Sequence, residues 1–289
     1  MSTKTQAQQP PHKANIDVRP TQMKGLLEHA GLRPDGRYKS YHPEIRLRIS
    51  NDQVETIAYN SAKGAITYGV YKSEYFDSLA VTNGKTVNAI VDPYKMQEGL
   101  KLLLNQRKKT EKESPPVFHI EFHSVNDNGY AQSYTAEAGL KQIRECPIAN
   151  RAKNRFPTEV TDLFNSNGRL CISGSPVPTV IQTKTDALMR ITKAGMKVNH
   201  GDSFEIQVED GDFCIDINDK KGNSVRGVLS SDVQGPDFKN AYGEAFAQVA
   251  KSLEDGKVEL QSGQDQRLAV IQEDDHYRAH HVIAPVKKP

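Results

Sequence analysis

Three basic side chains in the second half of the chain recur at the spacing of a helix face. Arg190, Lys193 and Lys197 stand at i, i+3 and i+7 in a stretch, residues 183–198, whose apolar side chains recur on the opposite side. In a helix this spacing places the three cations on one exposed face. A cationic row of this kind can bind the phosphates of a polyanion, and DNA is the first polyanion to consider.

A second row lies on a helix predicted to begin at residue 93. Lys101 and Lys108 share a face there with Gln97 and Asn105. A lysine-bearing face is also ordinary solvated surface, so each row taken alone leaves both interpretations open. If the rows do contact phosphates, those contacts carry no sequence information. The predicted binding to duplex DNA is then non-specific and weakens steeply with salt.

One short motif suggests phosphate-binding chemistry, but its spacing is wrong. Gly84-Lys85-Thr86 has the end of a phosphate-binding loop, yet that loop needs a glycine five residues before its second glycine, where this chain has Leu79. A hairpin turn explains the three residues better. Because no nucleophile elbow or zinc-peptidase motif occurs either, the sequence disfavours an enzyme.

The metal-binding patterns are also incomplete. A calcium loop starting at Asp216 would need glutamate at its twelfth position, which is Gly227. Zinc needs three or four converging ligands, and the candidate histidines fall in two separate groups. Those histidines are His119, His123, His276, His280 and His281. We therefore predict no metal and no cofactor.

The composition sets limits on size and compartment. The 289 residues are enough for two domains, and 36% hydrophobic residues without tryptophan predict modest cores. The net charge of +2 identifies no partner. Three cysteines (Cys146, Cys171 and Cys214) without a C-x-x-C pair favour neither a disulfide framework nor a cysteine zinc site. We expect an intracellular, reducing compartment: the cytoplasm or nucleoid, or the nucleus if the source is eukaryotic.

The order of predicted elements runs twice along the chain. Residues 20–139 and 179–289 each read as helix, strands, helix, strands, and no apolar run approaches the roughly 18–20 residues of a membrane span. A basic, proline-containing connector at 140–178 separates them, and 1–19 reads as a disordered tail. The predicted fold class is α+β: two tandem domains, each a curved antiparallel sheet with two helices on one face.

The boundaries of the predicted elements follow from periodicity and from proline and glycine positions. Predicted helices cover 20–31, a stretch from 93, residues 183–198, and a stretch that starts after Gly235-Pro236 and includes Phe238 and Tyr242. Predicted strands cover 45–49, 54–59, 66–71, 86–91, 117–124, 130–138, 203–209, 212–218, 224–231, 257–261, 267–272 and 277–285.

Three stretches resemble the sliding clamps of the proliferating cell nuclear antigen type, found in archaea, eukaryotes and some viruses. "NAIVDPYKMQEGLKLLL" at 88–104 looks like the strand, aspartate and helix of the first clamp domain. "FEIQVEDGDFC" at 204–214 is similar to a strand pair of the second domain. "KVELQSGQDQRLAVIQEDDHYRAHHVIAPV" at 257–286 resembles the last three clamp strands and the family's closing Ala-Pro. The connector departs from the family because it is longer and basic.

The resemblance implies a homotrimeric ring of six domains whose helices line a hole around duplex DNA. The DNA-facing candidates are then Lys101, Lys108, Arg190, Lys193 and Lys197. Subunits would join edge to edge through the strands at 130–138 and 224–231. DNA polymerase and other clamp-binding proteins would insert a peptide beside the connector, at Gly64, Ala65, Ala284, Pro285 and Val286.

Three hypotheses remain open from the sequence. The first is a DNA sliding clamp, a processivity factor that tethers a polymerase and other replication or repair proteins. The second keeps the clamp fold but acts as a monomeric or dimeric accessory factor that binds DNA or a transcription protein. The third is a metal-dependent hydrolase that uses the histidine groups.

Overall fold

The fold is described by a computed structural model at residues 12–32, 42–60, 64–84, 86–107, 117–124, 131–138, 141–149, 161–200, 203–219 and 221–286. Its helices in these ranges are α1 (Pro20–Gly31), α2 (Pro93–Arg107), α3 (Thr185–Asn199) and α4 (Glu244–Ser252). Within the same residues no helix is long and apolar enough to cross a membrane.

The strands of the first half were largely predicted from alternation. In chain order they are β1 (His12–Val18), β2 (Ile45–Ile49), β3 (Gln53–Asn60), β4 (Ala65–Lys72), β5 (Ser78–Val81), β6 (Val87–Val91), β7 (Phe118–Ser124), β8 (Ala131–Ala138) and β9 (Lys141–Ala149). The connector carries a small hairpin, β10 (Cys171–Ile172) and β11 (Ser175–Pro176).

The second half repeats the arrangement. Its strands are β12 (Thr179–Lys184), β13 (Phe204–Glu209), β14 (Asp212–Asn218), β15 (Ser224–Ser230), β16 (Phe238–Tyr242), β17 (Lys257–Ser262), β18 (Leu268–Glu273) and β19 (Tyr277–Ile283). The strands pair antiparallel, and the chain is α+β, as predicted.

Helix ends follow local chemistry. Pro20 opens α1, where a missing N–H costs nothing, and the Gln22 side chain accepts a hydrogen bond from the Arg19 backbone N–H at 3.1 Å. Asp92 caps α2, because its carboxylate accepts the Lys95 N–H at 3.0 Å. Residue His200 ends α3 in the left-handed region, with φ 57°. These caps fix where each helix starts or stops on its sheet.

Strand order shows the repeat directly. In the first half β1-β7-β8-β9 are neighbours in that order, and so are β6-β2-β3-β4. In the second half β12-β17-β18-β19 and β16-β13-β14-β15 repeat both orders. Strand β5, which pairs with β1, and the connector hairpin β10-β11 have no counterpart among the described strands. The two halves therefore match strand for strand in these two units, while the division of the chain into two separate domains remains a prediction.

The halves are joined by one strand pair, here called the seam. Strand β19 of the second half pairs with β4 of the first along its whole length, from Tyr277↔Tyr71 to Ile283↔Ala65. This pairing makes one eight-stranded sheet, β12-β17-β18-β19-β4-β3-β2-β6. Each core takes in residues from across the seam, since Tyr277 lies in the first core and Ala65 in the second.

Two segments outside the predicted domains belong to the first sheet. Residues 12–18 were assigned to a disordered tail, but they form β1 between β5 and β7, with Ala14, Ile16 and Val18 buried. Residues 141–149 were assigned to the connector, but they form β9 against β8. Lys141, Arg144 and Pro147 made this stretch read as a basic loop, although an edge strand tolerates both charge and proline. Both assignments were wrong.

The fourth predicted helix started too early. Phe238–Tyr242 is the edge strand β16 against β13, and α4 begins only at Glu244. Phe238, Ala241 and Tyr242 are apolar at spacings that fit a helix, and short apolar runs do not distinguish the two structures.

Candidate DNA-facing helices and partner surface

The four helices form one layer over the sheets. Helix α2 packs on α1, α1 on α4, and α4 on α3, so the layer runs without a break from the first half to the second. The two helices that were predicted to carry cationic rows, α2 and α3, lie at its two ends. Both predicted cationic rows therefore belong to the same helix layer, as they must if they contact one ligand together.

Helix α3 presents its predicted cations to solvent. Leu188, Thr192 and Gly195 face the sheet, and Gly195 is needed because a Cβ there would lie 2.7 Å from the Phe204 ring. Lys193 and Lys197 are exposed. The close approach at Gly195 seats the helix on its core with its basic side outward.

Arg190 is exposed as well, but it has an acidic neighbour that the sequence analysis overlooked. Its Nε lies 3.5 Å from the Asp186 carboxylate, and the two side chains are 74% and 65% exposed. Exposed i,i+4 pairs of this kind contribute only a few tenths of a kcal/mol, so the arginine remains available to a stronger anion.

The row on α2 is only partly described. The Lys101 side chain is 64% exposed, and its Nζ lies 2.8 Å from the Glu98 carboxylate, three residues before it. Lys108 lies outside the described residues. The two remaining helices add little cationic surface: Lys24 of α1 lies 3.8 Å from Glu28, and α4 is buried along most of its length. Among the described side chains, α3 therefore exposes the largest number of cations.

The residues predicted for partner binding meet at one end of the seam. The Gly64 carbonyl accepts the Ala284 N–H at 2.7 Å, and Ala65 pairs with Ile283. Gly64 has φ 64°, and a Cβ there would lie 3.1 Å from the Ala284 Cβ, so glycine is the residue that fits. Pro285 follows directly, and Val286 donates its N–H to the Ala241 carbonyl at 2.8 Å. The five predicted residues thus form a continuous border.

The described end of the connector, residues 161–178, lies on the sheet face opposite the helices. Leu170 and Val177 are fully buried there against Ala269, Ile271 and Val282. Gln261 of β17 holds this segment, because its Oε1 accepts the Leu170 N–H at 2.6 Å and its amide donates to the Gly168 carbonyl at 3.1 Å. The connector is thus fixed to the second half by both apolar contacts and hydrogen bonds.

An aromatic surface lies beside the connector, and the sequence analysis did not find it. Phe164 packs on the His280 ring with centroids 4.3 Å apart, and the Tyr68 ring lies 6.3 Å from the same histidine. Tyr59 is 50% exposed, with the Arg46 guanidinium 5.8 Å from its ring centroid. Cross-strand register places Tyr59 and Tyr68 on one sheet face. Only the strand alternation around 59–68 could have indicated this surface.

Two strands were predicted to lie at free sheet edges; the first of these predictions was wrong, and the second strand does lie at a sheet edge. The strand at 130–138 was expected to be free, but β8 lies between β7 and β9. Among the described strands, β9 forms one end of that sheet and β5 forms the other. The strand at 224–231 corresponds to β15, which pairs only with β14 among described strands. An edge strand exposes backbone N–H and C=O groups that can pair with another chain.

The histidine groups do not form a metal site in the described part of the chain. His280 and His281 are neighbours on one strand and point to opposite faces, while His119 is exposed and lies 2.6 Å from Asp17. No three histidine, cysteine, aspartate or glutamate side chains among the described residues could hold a metal ion. Cys171 and Cys214 are free thiols.

Comparison with known proteins gives structural matches only. No protein-family model and no curated protein sequence matches the chain. Among solved structures, PCNA of A. fulgidus, in a complex with the C-terminal region of FEN-1, is 12% identical with a TM-score of 0.64, over 96% of this chain and 99% of that one.

Two further structures agree. PCNA of Thermococcus kodakaraensis is 15% identical over 94% of this chain and 100% of that chain, with a TM-score of 0.63. PCNA of Entamoeba histolytica is 13% identical over 96% and 99%, with a TM-score of 0.65. The chain therefore has the fold of a PCNA-like sliding clamp along nearly its whole length.

Proposed function

We propose that the chain is a DNA sliding clamp, a non-enzymatic processivity factor that closes into a homotrimeric ring around duplex DNA. In this proposal it tethers a DNA polymerase and other replication or repair proteins. The PCNA-like fold along nearly the whole chain is the starting point. The features that extend the fold to this function are the free edges, the helix layer and the surface beside the connector.

The observation that carries the proposal is the seam. Strand β19, the last strand of its four-stranded unit, pairs with β4, the last strand of the other kind of unit. The counterpart of β19 in the first half is β9, and the counterpart of β4 in the second half is β15. Both end their sheets among the described strands. A second copy of the chain can therefore repeat the seam by pairing its β9 with this chain's β15, and a third copy would close six halves into a ring.

The helix layer supports DNA as the ligand. Arg190, Lys193 and Lys197 point away from the sheet, and Lys101 lies at the other end of the same layer. A closed ring is held on DNA by its topology, so moderate cationic contacts suffice. Such contacts are to phosphates, and binding is therefore expected to be non-specific and dependent on salt.

Partner proteins are expected at the surface between the connector and the chain's closing residues. The border from Gly64 to Val286 and the aromatic surface at Tyr59, Tyr68 and Phe164 offer apolar contacts on the side opposite the helices. An extended peptide with apolar anchors is the kind of partner that such a surface fits. A partner bound there would leave the DNA-facing side clear.

Sedimentation equilibrium at micromolar concentration tests the ring. We expect a mass of three chains for the wild type and weaker association for Val228→Lys, which adds charge to the exposed edge of β15, where Val228 is 53% exposed. Gln234→Lys, an exposed position outside the strand, is the matched control and should leave the mass unchanged. A wild type that sediments as a monomer or dimer would instead support the accessory factor.

DNA binding is tested by reversing charge on α3. The triple variant Arg190→Glu, Lys193→Glu, Lys197→Glu should weaken binding to duplex DNA and flatten its salt dependence, by about 0.9 in log–log slope for each phosphate that the variant no longer neutralises. The control reverses three exposed cations outside the helices: Lys72→Glu, Lys221→Glu, Arg267→Glu. Equally weakened binding in both variants would show that DNA affinity depends only on the net charge of the protein. It would then exclude α3 as the surface that contacts DNA.

A further inference from the structure

Among the residues whose side chains the structure describes, four histidines are buried at the seam. His281 of β19 is fully buried on the helix side, as are His29 of α1 and His42, which precedes β2. His280 of β19 is 5% exposed on the opposite side, beneath the connector's Phe164. Burial of several ionisable rings along the one strand pair that joins the halves needs an explanation beyond packing, because a cation there would lose its hydration.

A threonine links the rings across the seam. The Thr67 hydroxyl of β4 lies 3.2 Å from His42 Nε2 and 3.2 Å from His281 Nδ1. Two neutral rings can satisfy this hydroxyl completely, one donating to its oxygen and the other accepting its proton. If the ring that accepts this proton were itself protonated, both rings would donate, and the Thr67 O–H would lose its acceptor. The hydrogen bond that crosses from one half to the other is therefore built for uncharged histidine.

Further nitrogen atoms at the seam have no hydrogen-bond partner among the described residues. They are His29 Nε2, His281 Nε2, and both ring nitrogens of His280. A buried donor without a partner is costly, and a charged one far more so. Among these rings, carboxylates act only on His29: Glu254 lies 4.0 Å from it and is 44% exposed, and Asp274 is the other. His280 and His281 have no carboxylate that would compensate an added proton.

The groups around His280 and His281 supply no negative charge that would stabilise an added proton. His281 faces His29, His42 and His280, each of which would repel its proton. His280 faces the cation of Arg278. The remaining titratable groups packed around the rings are Tyr71 of β4, Tyr75, Tyr277 of β19, Tyr68 on the His280 side, and Glu254 and Asp274 near His29. The phenols are neutral, so they do not offset a proton on β19.

We propose that the seam between β4 and β19 is a proton-sensitive joint, at which mild acidification separates the last strand of the second half from the first half. Protonated histidines need water, and they gain it when β19 leaves β4 and the connector lifts from His280. Burial lowers the pKa of His29 and of His42 to about 4, and that of His280 to about 3, in agreement with this geometry. The inference concerns the single chain and holds whether or not several chains assemble into a closed clamp.

Hydrogen exchange followed by mass spectrometry, on the full chain between pH 7.5 and 5.0, tests the joint. After correction for the intrinsic pH dependence of exchange, peptides covering β4 and β19 should lose protection as pH falls below about 6.5. We expect about tenfold per pH unit for each histidine that must gain a proton. A peptide covering β14, away from the seam, should exchange only when the whole chain unfolds, so it should stay better protected than the seam peptides at every pH. Equal protection at the seam and at β14 across this pH range would indicate general acid unfolding and would overturn the proposal.

Matched variants separate the histidines from other acid effects. His42→Gln with His281→Asn keeps amide groups near the two ring nitrogens that contact Thr67 but removes the titration of these two histidines. It should reduce the pH dependence at the seam and leave the part that His29 and His280 contribute. His276→Gln, at an exposed histidine, is the control and should behave as the wild type. A double variant as pH-sensitive as the wild type would refute the joint.

If the double variant does not fold, a measurement on the wild type still tests the proposal. NMR titration of the histidine rings should show His281 gaining its proton at the same pH at which the β4 and β19 amides lose protection. A His281 that titrates near pH 6.5 while both strands stay protected would contradict the proposal.

Discussion

Replacing Gln261 with alanine should release the connector without unfolding the protein. Gln261 is 1% exposed and holds two backbone groups of the connector, the Leu170 N–H at 2.6 Å and the Gly168 carbonyl at 3.1 Å. The substitution removes both hydrogen bonds and leaves the Leu170 N–H buried without an acceptor, unless the connector moves. The rest of the β17 ladder, from Thr179↔Ser262 to Lys184↔Lys257, does not depend on this side chain.

The size of the effect follows from these two bonds. Each contributes about 1 kcal/mol net, and a buried N–H left unpaired costs about 1–3 kcal/mol, so we expect about 2–3 kcal/mol against the docked connector. This raises the population of the undocked connector by roughly 30- to 150-fold. Leu170 and Val177 oppose release, because burying each side chain stabilises the docked state by about 1.5–3 kcal/mol. The connector should therefore open often but remain docked most of the time.

Limited proteolysis is the suitable assay, since cleavage of a briefly open segment follows the open population. Gln261→Ala should be cut within residues 161–178 at least tenfold faster than the wild type, and its urea midpoint should fall by no more than these ~2–3 kcal/mol divided by the m-value. Gln182→Ala, an exposed glutamine on the neighbouring strand β12, is the control. Unchanged cleavage in Gln261→Ala would show that the apolar contacts alone fix the connector.

Two further predictions concern stability. Phe246→Ala removes a fully buried ring of α4 that lies 5.2 Å from the Phe204 ring, and it should lower the free energy of unfolding by about 3–5 kcal/mol in urea titration. A decrease in the free energy of unfolding below about 1 kcal/mol would mean that core packing of the Phe246 ring does not hold α4 in place. In the second prediction, burial lowers the folded-state pKa of His29 and His42 from 6.5 to about 4, so the unfolded chain binds more protons between these values. Stability is then fully present above pH 6.5 and falls as pH drops towards 4, by about 3 kcal/mol for each histidine. Urea midpoints that stay constant from pH 6.5 to 4.5 would contradict this.

Regular, well-patterned elements could be predicted from the sequence. Residues 45–49 alternate, residues 212–218 are mostly apolar between polar ends, and both strands have the predicted bounds. The caps at Pro20 and Asp92 depend only on neighbouring atoms, so these helix starts were also accessible. Local chemistry was sufficient wherever the neighbouring residues alone determined the conformation.

Elements that depend on distant partners could not be predicted. β1 has only three apolar side chains and becomes a strand because β5 and β7 flank it, and their residues are more than 60 positions away. β9 has three charged side chains and contains Pro147, so its pairing with β8 decides its structure. The site shows the same limit. Exposure of the α3 cations followed from helical spacing, but the counter-charges Glu98 and Asp186 and the surface at Tyr59 and Phe164 depend on packing.

If rings form as proposed, they should open between chains rather than at the seam within each chain. The seam is covered on both sides, by the Thr67–His281 hydrogen bond beneath the helices and by the connector over His280. On β15, the counterpart of β4, Val228 is 53% exposed and Arg226 is paired with Glu209 at 2.7 Å. An exposed, charged edge strand has less apolar area to bury, at about 25 cal/mol per Å², so it makes the weaker joint. Dilution at pH 7.5 should therefore reduce the sedimenting mass to one chain while the far-ultraviolet circular dichroism stays constant. If the spectrum disappeared together with the mass, the folded single chain would not be stable, and the seam would not be the stronger joint.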